Sequence, residues 1–203
     1  MPDVLVSGSV DQFTDERIQL LGRVARQQSG AAPSGDPDKA VSILSLAAAS
    51  YGAKPAEEST IPTGFDPLAV VLFEAIVEGA YLVAAADGVV DAEERHVFER
   101  VVTAACGGVV LEKQIADLVQ DLDGLLKQDG IDKRISAVGS QVRKKDHGRE
   151  VLRIGALLAV ASGDVSAVER EVLCKLAKTF TLEERDVDEA VGHVRGILAA
   201  NAA

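Results

Sequence analysis

The stretch Tyr81–Arg100, YLVAAADGVVDAEERHVFER, decides the fold because it occurs twice. Seventy-five positions on, Ala156–Lys175 reads ALLAVASGDVSAVEREVLCK. Between Leu82–Val97 and Leu157–Val172, nine of sixteen positions are identical, among them Leu82/Leu157, Gly88/Gly163, Ala92/Ala167, Glu94/Glu169 and Arg95/Arg170. An identity that dense at one fixed offset marks an internal duplication. Each copy reads as an apolar helix, a turn built on glycine, and a helix opened by a polar cap.

Working outward, the same signals recur. Thr14 caps a first helix to about Gln28, with Ile18, Leu21, Val24 and Ala25 on one stripe. Ser29–Asp38 is a Gly/Pro/Ser linker, and Asp36-Pro37 opens a second helix to about Tyr51-Gly52, with Val41, Leu44 and Ala48 inward. Lys54–Thr63 is a polar connection. Asp66-Pro67 opens the helix that ends at Asp87-Gly88, Asp91 caps the next, and Leu111–Gln128 forms a third that Gly130 stops. A short helix over Ile131–Lys144 leads to Gly148–Ser162, Ser166–Lys178 and Thr181–Ala199. Val119, Gly124 and Leu126 match Val191, Gly196 and Leu198, so the third helices correspond as well. The expected fold is all-α: an internally duplicated, pseudo-two-fold helical bundle over 66–203, with copies at about 66–130 and 131–203. Residues 1–65 form an N-terminal helical extension.

Bulk composition narrows the function. Apolar residues make up 47% of the 203 but aromatics only 3%, which favours close-packed helices built from Ala, Val and Leu. A net charge of −11 argues against a nucleic-acid footprint and against docking on an anionic membrane. It leaves metal cations or a basic protein surface as partners. Pro67–Ala86 is long enough to span a bilayer. It carries Glu74 and Glu78, however, each costing about 2.5–3.5 kcal/mol near the bilayer centre, so no membrane insertion is expected. The N-terminus has neither a basic nor an apolar leader region. Cys106 and Cys174 have no CxxC spacing and read as reduced, inert thiols of a cytoplasmic protein.

Asp87-Gly88-Val89-Val90-Asp91-Ala92-Glu93-Glu94 puts four acids in eight residues. Capping explains most of them: Asp91 with Glu94, Ser166 with Glu169 and Thr181 with Glu184 have the spacing of capping boxes. It does not explain Asp87, because an acid at a helix C-terminus opposes the macrodipole. The spacing is not that of an EF-hand, since Val89 and Phe98 stand where ligands are needed. A hard-cation site would combine Asp87 with Asp91 or Glu94 and a group from elsewhere, such as Asp164. Glu93-x-x-His96 resembles half of a dinuclear carboxylate site, but the second copy offers Val168 and Glu171 there. No nucleophile–base pair, P-loop or dinucleotide loop is visible, so an enzyme is not expected. Glu74 and Glu78, shifted by seventy-five, land on Arg149 and Arg153, which predicts ion pairs between the two copies.

At AAADGVVDAEERHVFERVV the chain resembles the tellurite-resistance TerB family, which is marked by a helix ending in Ala-Asp-Gly and a following helix with an acidic cap and Glu. The resemblance covers about residues 66–200 and includes a second, degenerate copy. It implies a cytoplasmic helical bundle without catalytic activity, linked to stress and tellurite-resistance systems. It also implies an acidic surface and divalent-cation binding, carried over by position to Asp87, Asp91, Glu94 and Glu169. Where the family pattern places a second Asp-Gly, this chain has Ser162-Gly163, with Asp164 next. The function expected is therefore a stress-response protein binding a cation at these acids, or a metal-free interaction module with an acidic helical face.

Overall fold

The structure is a computed structural model that describes residues 13–27, 42–53, 66–88 and 90–201. Among these residues the chain forms α1 (Asp15–Arg26), α2 (Ile43–Gly52), α3 (Pro67–Ala84), α4 (Ala92–Ala105) and α5 (Glu112–Asp129). They are followed by α6 (Ile131–Gln141), α7 (Lys145–Ala161), α8 (Ala167–Thr179) and α9 (Glu184–Asn201). The all-α expectation holds. The Ser29–Asp38 linker and the Lys54–Thr63 connection lie outside the described residues.

Most helix starts sit where the caps predicted. The Thr14 hydroxyl accepts the Arg17 N–H, and the Asp66 carboxylate accepts the Leu68 N–H with Pro67 in the first turn. The described part of the second helix opens at Ser42, which is extended and whose Oγ accepts the Ser45 N–H at 3.1 Å; the predicted start at Asp36-Pro37 lies outside the described residues. One start differs. The last helix does not use Thr181 and Glu184 as a box. Thr181 takes a left-handed φ of 57°, and the carboxylate that reaches back belongs to Asp186, which accepts the Glu183 N–H at 2.8 Å. The Glu183 N–H bond, followed by the one from Arg149, holds the Asp186 carboxyl below the usual range.

Two helices form the centre. α3 packs most extensively on α7, and both are buried around most of their circumference. Small residues permit the approach: a Cβ added to Gly155 would lie 3.1 Å from Val83 and 3.3 Å from Leu173. The apolar length of α3 is therefore core, with 67% of its span-length stretch buried. Around this pair, α2 packs on α3, α1 on α4, α6 on α3 and α8, and α9 on α7. α1 and α2 contribute Leu21, Val24, Leu44 and Ala48 to the same continuous core.

The expected pairing of Glu74 and Glu78 with Arg149 and Arg153 is not what forms. Glu78 accepts from Arg134 Nε at 2.6 Å, and Arg134 also donates to Asp129 at 3.3 Å. Arg149 turns to Asp146 and Asp186. Glu74 lies close enough to Tyr51 for its charge, after burial, to help push that phenol up to about 12. The reason is the packing itself. Gly79 meets Val151 and Gly155 meets Val83 across the α3–α7 contact, so charged side chains are displaced to its flanks.

Arg153 makes a different connection. It donates from Nε and Nη2 to its neighbour Glu150, at 2.8 and 2.9 Å, and from Nη1 and Nη2 to the carbonyls of Val24 and Ala25, at 3.1 and 2.6 Å. Glu150 in turn accepts the Leu44 N–H at 3.1 Å. Both charges are almost wholly buried. The cation thus meets the carbonyl end of α1 and the anion meets the amide end of α2, each satisfying groups a helix end leaves open.

Candidate functional site

The two repeated turns share one local design. α3 passes into its turn at Ala85, and Gly88, with φ 129°, donates to the Ala85 carbonyl at 3.1 Å. In the second copy Gly163, with φ 146°, donates to Val160 at 3.4 Å. A Cβ at either glycine would meet nothing within 4 Å, so the backbone angle alone requires glycine there. Each turn then delivers a capping box. Asp91 Oδ1 accepts the N–H groups of Glu93 and Glu94 at 2.8 and 2.9 Å, and Glu94 Oε2 accepts the Asp91 N–H at 3.0 Å. Ser166 Oγ accepts the Glu169 N–H at 3.3 Å, while Glu169 Oε2 takes the Ser166 N–H at 2.8 Å and its hydroxyl at 2.7 Å.

The repeated arginine completes the design. Arg95 bonds Asp123 of α5 at 3.2 Å, and Arg170 bonds Asp188 of α9 at 2.7 Å. In both copies it fastens the second helix to the third. Asp123 also accepts from Lys127 and from the Tyr81 hydroxyl, and these donors hold its carboxyl below the usual range.

The five predicted acids have different surroundings. Asp87 is exposed, and its carboxylate has no hydrogen bond to another described residue. Asp91 is occupied by its cap. Asp164 accepts from both Arg195 Nε, at 3.1 Å, and the Val165 N–H, at 2.8 Å; Arg195 first and then that N–H hold its carboxyl below the ordinary range. Three of the five, Asp87, Glu94 and Glu169, border one groove of about 340 Å³ between the two turns. Its floor is apolar, with Val90, Val97, Phe98 and Leu158, and Phe13 closes one side. α1 is anchored near the second turn by Arg17, which donates to the Ala161 carbonyl at 3.0 Å. Asp91 and Asp164 do not line the groove. Among the described residues, no three His, Cys, Asp or Glu side chains come together as a metal-binding set. Glu94 and Glu169 each spend one oxygen, Oε2, on their own helix start.

Sequence reasoning found the acids and the caps but not the groove. Val168 sits where the first copy has Glu93, and that exchange was a visible sign of an apolar lining at the second turn. Both cysteines are free, and burial pushes the Cys106 thiol up to about 12 and raises that of Cys174.

Fold and site together define an all-helical bundle domain organised around two glycine turns, each leading into a helix held by a carboxylate capping box. A family model described as tellurite resistance protein TerB matches residues 73–191, from within α3 to within α9, and the chain belongs to that family. No curated protein and no solved structure matches the chain.

Proposed function

We propose that this TerB-family chain is a non-enzymatic, cytoplasmic interaction module of a tellurite-resistance-type stress response, acting by binding a basic protein partner. One observation carries the reading: the acids of two turns far apart in sequence border a single apolar-floored groove. The net charge of −11 favours a cationic partner. The capping carboxylates hold their own helix ends, which leaves Asp87 as the acid most open to a ligand.

We also infer that the bundle is a duplication with pseudo-two-fold symmetry about the α3–α7 contact. Supporting this are the repeated sequence, the two glycine turns, the two capping boxes and the two arginine ties.

The rival reading is a divalent cation held by Asp87 with Asp91, Glu94, Asp164 or Glu169. Melting curves of the metal-stripped protein with Ca²⁺, Mg²⁺, Mn²⁺ and Zn²⁺ separate the two. Stabilisation by one ion that disappears in Asp87→Asn selects the cation through binding linkage. A flat response in both proteins selects the interaction module.

A further inference from the structure

The groove between the two turns has a chemistry that specifies its occupant. We propose that it receives an amphipathic segment of a partner protein, with apolar side chains flanked by Lys or Arg. This rests on the interaction reading above and names the partner class for the same site. The floor of Val90, Val97 and Phe98 calls for an apolar insertion, and Asp87, Glu94 and Glu169 give the rim a single sign of charge. Among the described residues no Lys, Arg or His lines it, so an anionic ligand would find no cationic side chain there.

The departure from the repeat sharpens this. Val168 takes the place of Glu93 seventy-five positions earlier. It stands in the first turn of α8, where an acid would favour the helix dipole, yet it is apolar and 44% exposed on the groove wall. An apolar residue left open at such a position gives an incoming side chain something to cover, as in helix-in-groove recognition.

The chain's own outlying segments lack the matching charge. Residues 1–12, which lead into Phe13 at the groove edge, contain Asp3 and Asp11 and no Lys, Arg or His. Residues 28–41 and 54–65 carry one Lys each, Lys39 and Lys54, against two acids each. Charge complementarity therefore selects a foreign basic segment.

The probe is a fluorescent amphipathic peptide of Leu and Lys written at helical spacing, titrated into the full chain and followed by anisotropy. Val168→Glu is the deciding variant, because it makes the protein more acidic while removing apolar wall. General attraction to acid would hold or strengthen binding in that variant. Docking in the groove weakens it at least about tenfold, in line with the loss of a buried apolar side chain. Glu is favourable in a first turn, so an unchanged melting temperature will show that the variant folds. Asp87→Lys should weaken binding as well.

Equal or tighter binding by Val168→Glu overturns the proposal. So does absence of binding at about millimolar peptide. If the peptide binds only after residues 1–12 are removed, the groove belongs to that segment and the proposal also falls. A flat melting response to divalent ions combined with no peptide binding would leave the interaction reading standing and remove only this groove. An ion-specific melting shift lost in Asp87→Asn would remove the interaction reading itself.

Discussion

The two turns differ in what happens to their acid. In the first, Asp87 comes before the glycine and stands exposed without a described partner. In the second, Asp164 comes after it and is held by Arg195 from α9 and by the Val165 N–H. Both copies keep the glycine, the capping box and the arginine tie. The two turns share the parts that turn one helix into the next. They differ in the acid and, at Val168, in the wall of the groove.

The largest test concerns what lies beneath the second copy. Arg153→Met strands the buried Glu150 and removes the donor to the Val24 and Ala25 carbonyls, of which Val24 keeps the Gln27 N–H, and it should cost about 3–5 kcal/mol in urea unfolding. Arg134→Met strands Glu78 of α3 but no helix-end carbonyl and should cost less. A larger loss for Arg134→Met would reverse that ranking.

Next come the glycines. Gly88→Ala and Gly163→Ala force a side chain into a positive φ without any steric contact, so each should destabilise by about 1 kcal/mol or more. Similar shifts in denaturation midpoint would show that the two turns carry the same backbone demand.

Removing the caps is smaller still. Asp91→Ala and Ser166→Ala should each cost about 1 kcal/mol. A much larger loss in one copy would show that its box does more than end a helix.

The smallest effect is acidic. Because Asp164 titrates below its ordinary value in the folded chain, the stability it lends is full above about pH 4 and is lost as pH falls through its folded value. Asp164→Asn should flatten that part of the stability–pH curve slightly. An unchanged curve would show that the Arg195 contact contributes nothing.

The sequence was informative wherever a signal was local. Thr14, Asp66, Asp91 and Ser166 mark their helix starts because a cap needs only its own next three residues. The Asp186 cap was missed because Thr181 and Glu184 offered a competing cap nearby, and only tertiary packing selects between them. The predicted pairing of Glu78 with Arg153 failed for a similar reason. Shared position in a repeat says which helices meet, but each ion turns to whichever neighbour can satisfy it, here α6 for Glu78 and the ends of α1 and α2 around Arg153 and Glu150. The acids of the site were legible as residues. Their convergence on a groove was not, because Leu158 and Val97 look like ordinary core positions until the fold brings the two turns to one groove.

The Arg153–Glu150 clamp also sets an order of events. Its bonds to Val24 and Leu44 span 129 and 106 residues of chain. α1 and α2 are therefore made well before the residues that clamp their ends. Contacts closed over such separations are costly to nucleate early. α1 can pack on α4 and α2 on α3 sooner, but until residue 153 has been made their ends lack the cation and the anion that satisfy them. A nascent chain stalled before α7 should therefore hold α1 and α2 less firmly than the finished bundle.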